Sequence, residues 1–305
     1  MQNLTTLLDL SRAQIEQIFE TSARLKQGLR DGERPPLLAG RVVTQLFEKP
    51  SLRTRLSFEA GVQQLGGGSI FLSGKDAGLN GREDTRDVAR VVGSYSDVIV
   101  LRTFAQSLID DFAAYAGCVV VNGLSDASHP CQALTDLLTV QEAFGQISGV
   151  TIAYVGDGNN VAASLAELCA VMEVPFRVAS PEGYTLPDEF LAGLKKQFPA
   201  ADIEQVIDPA EAVRGAQVVY TDVWASMGQE SEKEARARVF APYQVNANLM
   251  AEADKEAKFM HCLPARRGLE VTEEVMESPQ SIAFQQAENR MHLAKGLLVT
   301  LLGAG

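Results

Sequence analysis

The stretch VVTQLFEKPSLRTRLSFEAGVQQLGG, residues 42–67, holds one complete structural unit. A short β-rich run, VVTQLF, meets a proline. Two hydroxyls and two arginines follow within five residues, SLRTR, and then Phe58, Val62 and Leu65 recur at helical spacing. A strand feeding a helix through a polar turn is the repeating unit of a parallel sheet with crossover helices.

Working outward, the same alternation recurs. GSIFLS (68–73), VIVLRT (98–103) and CVVVNG (118–123) read as further buried strands, with REDTRDVARVVGSYS (82–96) and SLIDDFAAYAG (107–117) as helices between them. A second series follows: VTIAYVGDG (150–158), FRVASP (176–181), QVVYTDVW (217–224) and KFMHCLP (258–264). Residues 3–28 carry apolar positions at helical spacing and predict an opening helix. The fold class expected is α/β, with two domains, each a parallel sheet flanked by helices. The first spans 1–149 and the second 150–283, joined through CQALTDLLTVQEAFG (131–145). The final helix within 284–305 is too apolar on one face to stand alone, so it is expected to pack back on the first domain.

A chain of 305 residues is long enough for two domains. Its net charge of −12, from 27 basic and 39 acidic residues, argues against nucleic acid or an anionic membrane as the main partner. No stretch has the uninterrupted apolar length of a bilayer span, and the opening residues lack a basic start with an apolar run, so a cytoplasmic location is expected. Cys118, Cys131, Cys169 and Cys262 show no C-x-x-C spacing and read as thiols, three of them core. His129, His261 and His292 are the only histidines and have no zinc-ligand spacing, so no metal site is expected.

Several turns carry candidate chemistry. SLRTR presents helix N-terminal amides, the hydroxyls of Ser51 and Thr54, and the forks of Arg53 and Arg55, which suit phosphate oxygens; a capped helix with two solvated arginines uses the same residues. His129 and Gln132 in HPCQALTD could polarise and hold a carbonyl or amide, or simply open a helix behind Pro130. VGDGNN departs from the dinucleotide fingerprint, which leaves Asn160 as an amide presented at a helix start. In DVWASMGQE (222–230), Asp222 can bind a cation and Met227 can close over a methylene chain. Cys262, closing a strand near arginines, is either an activated thiol or core.

Taken in order, SLRTR, HPCQALTD, DGNN, DVWASMGQE, HCLPA and QAENRMH resemble the ornithine carbamoyltransferase family, from about residue 40 to residue 295. The resemblance implies transfer of a carbamoyl group from carbamoyl phosphate to the δ-amine of L-ornithine, giving L-citrulline and phosphate for arginine metabolism, with no cofactor. It implies that Ser51, Leu52, Arg53 and Thr54 hold the phosphate together with Arg102, and that His129, Gln132 and Arg290 hold the carbamoyl group. Asn160, Asp222, Ser226 and Met227 match ornithine-binding positions, while Cys262 and the Leu263 carbonyl match the pair beside the reacting carbon. A homotrimer is also implied. The sequence departs from the family where Leu52 replaces a threonine, and where GKDAGLNGRED (74–84) lacks a glutamine that Lys75 or Asn80 could replace. Two other readings stay open: a carbamoyltransferase for another amine, and a non-catalytic sensor on the same fold.

Overall fold

The structure is a computed structural model that describes residues 2–79, 81–225 and 230–304. The chain divides into two compact units, residues 1–138 with 288–305 and residues 139–287. The boundaries, at 138/139 and 287/288, fall within the residue ranges of the helices Pro130–Phe144 and Ala283–Leu302.

In the first unit, strands β1 (Val42–Phe47), β2 (Gly68–Ser73), β3 (Val98–Arg102) and β4 (Val119–Leu124) form a parallel sheet in the order β2-β1-β3-β4. All of β3 is buried, as is β4 up to its last residue, which is why both read as near-continuous apolar runs. On one face Leu46, Ile99, Leu101 and Val120 pack with Ile109 and Phe112 from the helix Gln106–Tyr115. The opening segment differs from the predicted helix. Leu4 pairs in parallel with Val121 at the edge of β4, and the helix begins only at Arg12. The reason is local: Ser11 and Gln14 form a capping box that fixes the helix start there.

The second unit carries β5 (Ile152–Val155), β6 (Phe176–Ala179), β7 (Ile203–Val206), β8 (Val218–Thr221) and β9 (Lys258–His261), all parallel, in the order β7-β6-β5-β8-β9. The sequence reading found four of these and missed β7. Its residues IEQV sit at the sheet edge and are at most half-buried, so they lack the apolar run that marks the others. Ala153, Val155, Val219, Phe259, Trp224 and Phe240 share one core cluster.

In both sheets the strand order reverses once, between β1 and β3 and between β5 and β8. The carboxyl ends of strands flanking such a reversal form the crevice where open α/β sheets bind ligands. Among the described residues, no helix is long and apolar enough to cross a membrane.

Candidate active site

In the first unit, SLRTR sits at the reversal point. Ser51 caps the helix Leu52–Gln64, its hydroxyl accepting from the Thr54 amide at 3.2 Å, which sets the positive end of the helix dipole directly after β1, where it favours an anion. Leu52 is 68% exposed while Thr54 is 2% exposed, so the turn directs one side chain outward and the other inward. Arg55 does not join the inward set: it pairs with Glu59 at 2.8 Å and lies over the Phe71 ring. Of the two arginines in the motif only Arg53 therefore stays a candidate.

Arg102 closes β3 beside a bulge, where β4 contributes one extra residue, Gly123. A Cβ there would lie 2.9 Å from the Leu101 carbonyl oxygen and 3.4 Å from the Thr54 methyl, so the bulge brings bare backbone against the SLRTR turn. From the last helix comes Arg290, buried, whose guanidinium donates to Thr54 Oγ1 at 3.1 Å and to Gln132 Oε1. Gln132 in turn donates to Asp136 at 2.7 Å, which fixes its amide with the carbonyl toward Arg290. The structure thus joins Thr54, Gln132 and Arg290, and places His129 in the field of Arg290 and Arg102.

Burial, then Arg290 and Arg102, push the His129 imidazole well below its usual range, so it is neutral at physiological pH and able to donate an N–H to a carbonyl oxygen. The sign of the linkage follows. Below about pH 6.5 the unfolded chain takes up a proton at His129 that the folded chain does not, so this group costs stability by about 1.4 kcal/mol per pH unit until its folded pKa is reached. Thermal unfolding of wild type between pH 6.5 and 5.5 is expected to lose stability more steeply than that of His129→Gln; parallel slopes would contradict a neutral buried imidazole.

Sequence reasoning missed Lys49. It is buried, pairs with the exposed Asp126, and lies 4.2 Å from the Phe104 ring centre, a cation held inside the first unit directly before the proline that precedes SLRTR. Its position directly before Pro50 was the available signal.

The second unit builds its candidate site at the ends of β5, β8 and β9. Asn159, rather than Asn160, caps the helix Asn160–Met172; its carbonyl oxygen accepts from Val161 and Ala162, and its NH2 donates to Asp222 Oδ2 at 3.0 Å. Asn160 is the first residue of that helix. Asp222 Oδ1 accepts from its neighbour Val223 at 2.8 Å and from the Cys262 thiol at 3.0 Å. The result is a buried carboxylate ringed by donors. Gly158 makes the turn possible: its amide donates to the Tyr184 carbonyl at 2.7 Å, and a Cβ would meet backbone atoms of residues 184–186 at 2.6 to 2.7 Å.

Cys262 is the one half-buried thiol of the four; Cys118, Cys131 and Cys169 are core. Leu263 has a left-handed backbone at φ 58°, and its amide donates to His261 Nδ1 at 2.9 Å. That bond assigns the proton of a neutral His261 to Nε2, which faces the buried Glu270 at 3.3 Å. Asp222, His261 and Cys262 offer ligand atoms within 4.8 Å of one another, yet both His261 nitrogens already face protein partners. Ser226, Met227 and Asn80 lie outside the described residues, whereas Lys75 is within them and exposed.

Two family profiles match the chain: "Aspartate/ornithine carbamoyltransferase, carbamoyl-P binding domain" over residues 2–142 and "Aspartate/ornithine carbamoyltransferase, Asp/Orn binding domain" over 148–301. The chain is 47% identical over 304 residues to an ornithine carbamoyltransferase of Anoxybacillus flavithermus, covering 99% of this chain and 96% of that one. It is 46% identical over 306 residues to that of Bacillus subtilis, covering 100% and 95%. Among solved structures it is similar to the ornithine carbamoyltransferase from Pyrococcus furiosus, with TM-score 0.94, 42% identity and coverage of 99% and 97%.

Proposed function

The chain belongs to the aspartate/ornithine carbamoyltransferase family, and from that premise we infer that it transfers the carbamoyl group of carbamoyl phosphate to the δ-amine of L-ornithine, releasing L-citrulline and phosphate. The observation that favours ornithine over aspartate as acceptor is Asp222, a buried carboxylate amid donors. Such a group suits an α-ammonium, and it repels an acceptor carrying a second carboxylate.

The roles proposed follow from the chemistry of each group. Ser51, Leu52, Arg53 and Thr54 hold the phosphate through helix amides and one guanidinium fork, with Arg102 adding a second cation. His129, Gln132 and Arg290 hold the carbamoyl group. Neutral His129 and the cations stabilise its oxygen as negative charge gathers there. Asn160 and Asp222 take the α-carboxylate and α-ammonium of ornithine, Ser226 and Met227 complete that site, and Cys262 and the Leu263 carbonyl stand beside the reacting carbon.

The δ-amine attacks the carbamoyl carbon in its neutral form. A C–N bond forms, the C–O bond to phosphate breaks, and the proton that the amine nitrogen gives up leaves with phosphate as HPO4²⁻. Carbamoyl phosphate already carries a good leaving group, so positioning and charge stabilisation supply the catalysis. Turnover therefore rises with pH above neutrality. A cytoplasmic homotrimer is the setting we propose; exposed Leu52, Leu56 and Ile70 in the first unit supply apolar surface for subunit contact.

The test is citrulline formation from carbamoyl phosphate with ornithine beside parallel reactions with putrescine, N-acetylornithine and aspartate. Turnover with ornithine alone is expected. Activity only with another amine would overturn the role given to Asp222, and inactivity with all four would favour a sensor.

A further inference from the structure

One guanidinium in the second unit, given no role above, bonds to two turns and to the start of its own helix. Arg236, on the helix Lys233–Phe240, is buried. Its Nη1 donates to Asp157 Oδ2 at 3.0 Å and to the Trp224 carbonyl oxygen at 3.0 Å, and its Nε donates to Glu232 at 2.9 Å. The guanidinium carbon also lies 4.8 Å from the centre of the Tyr184 ring, whose backbone carbonyl holds Gly158.

The pattern of partners gives these contacts their meaning. Asp157 stands two residues before Asn159, and Trp224 two residues after Asp222. Asn159 and Asp222 are themselves bonded at 3.0 Å. The two turns that present the acceptor groups are therefore tied twice, once by Asn159 to Asp222 at the site and once through Arg236 behind it. We propose that Arg236 is a positioning residue for the amino-acid acceptor, setting the spacing of the Asp157–Asn160 and Asp222–Trp224 turns; this rests on the acceptor site proposed above.

Arginine is required by the geometry. A lysine can pair with Asp157 as a point charge but cannot serve a carboxylate, a carbonyl and a second carboxylate from one rigid plane. The tie also titrates. Burial raises Asp157 to about 6 against the pull of Arg236, with Asp222 and Glu232 adding to the rise, and among the described residues Tyr154 also faces it. Acidification through that range neutralises one end of the tie.

The sole tryptophan, Trp224, is 4% exposed and stacked on Phe240, so its emission reports on this turn without any substrate. In Arg236→Lys the expected result is a red-shifted emission, acrylamide quenching raised severalfold, and an ornithine KM raised at least about tenfold, with the carbamoyl phosphate KM within about twofold. Asp157→Asn provides the second variant. It keeps the shape, and it is expected to remove a bend near pH 6 in the wild-type profile of log kcat/KM for ornithine. Unchanged emission in Arg236→Lys, an unchanged ornithine KM, or a bend that persists in Asp157→Asn each overturns the proposal. Absence of citrulline formation by wild type would instead overturn the acceptor assignment, and the emission would still decide whether Arg236 holds the turn.

Discussion

Replacing Arg290 with alanine is expected to lower kcat by on the order of 10³-fold, the scale of losing a preorganised donor aimed at developing negative charge. The structure makes the loss larger than that of one surface cation. Arg290 is buried and bonds both the Thr54 hydroxyl and the Gln132 carbonyl, so its removal leaves two polar groups without their donor and unfastens the SLRTR turn from the HPCQ helix. It also removes the second cause that depresses His129. The imidazole should then protonate at a higher pH than in wild type, readable by NMR titration of its ring protons. Arg290→Lys is not expected to restore turnover, because an ammonium cannot bond two acceptors in one plane. A fall of less than tenfold in kcat, or an unmoved His129 titration, would place Arg290 outside the carbamoyl site.

Replacing Asp222 with asparagine is expected to act on the other substrate. The side chain keeps its size but loses the charge that pairs with an α-ammonium, in a place where Asn159, the Val223 amide and the Cys262 thiol already point donors at it. Breaking a buried charge pair of this kind costs about 3 to 4 kcal/mol, so kcat/KM for ornithine should fall by about 10²- to 10³-fold. Carbamoyl phosphate affinity should hold within about twofold, since the groups assigned to its phosphate, together with His129, Gln132 and Arg290, belong to the first unit. Calorimetry with carbamoyl phosphate alone and steady-state kinetics in ornithine separate the two. Equal losses for both substrates would contradict the division of labour between the units.

How much of this was readable beforehand depends on how each feature leaves its mark on a chain. Buried parallel strands write themselves as apolar runs, so β1, β3, β5 and β8 stand out, whereas β7 at the sheet edge needs little apolar surface and escapes notice. Turn chemistry is likewise local, and Ser51 was legible as a cap because capping needs only its neighbours. Partnerships between distant segments are not local. Nothing near Arg236 announces Asp157 or Trp224, and nothing in SLRTR tells that Arg55 turns away to Glu59 while Thr54 faces Arg290. The adjacent asparagines show the same limit. Asn159 and Asn160 are equivalent as letters, and only the helix start decides which one caps it and reaches Asp222.

The central claim is a reaction, and the most direct measurement follows its atoms. With carbonyl-¹³C carbamoyl phosphate and ornithine, ¹³C and ³¹P NMR should show the label appearing in citrulline in step with inorganic phosphate, one for one, and without ornithine the enzyme should add nothing to the background decay of carbamoyl phosphate. Phosphate released by the enzyme without labelled citrulline would contradict the account.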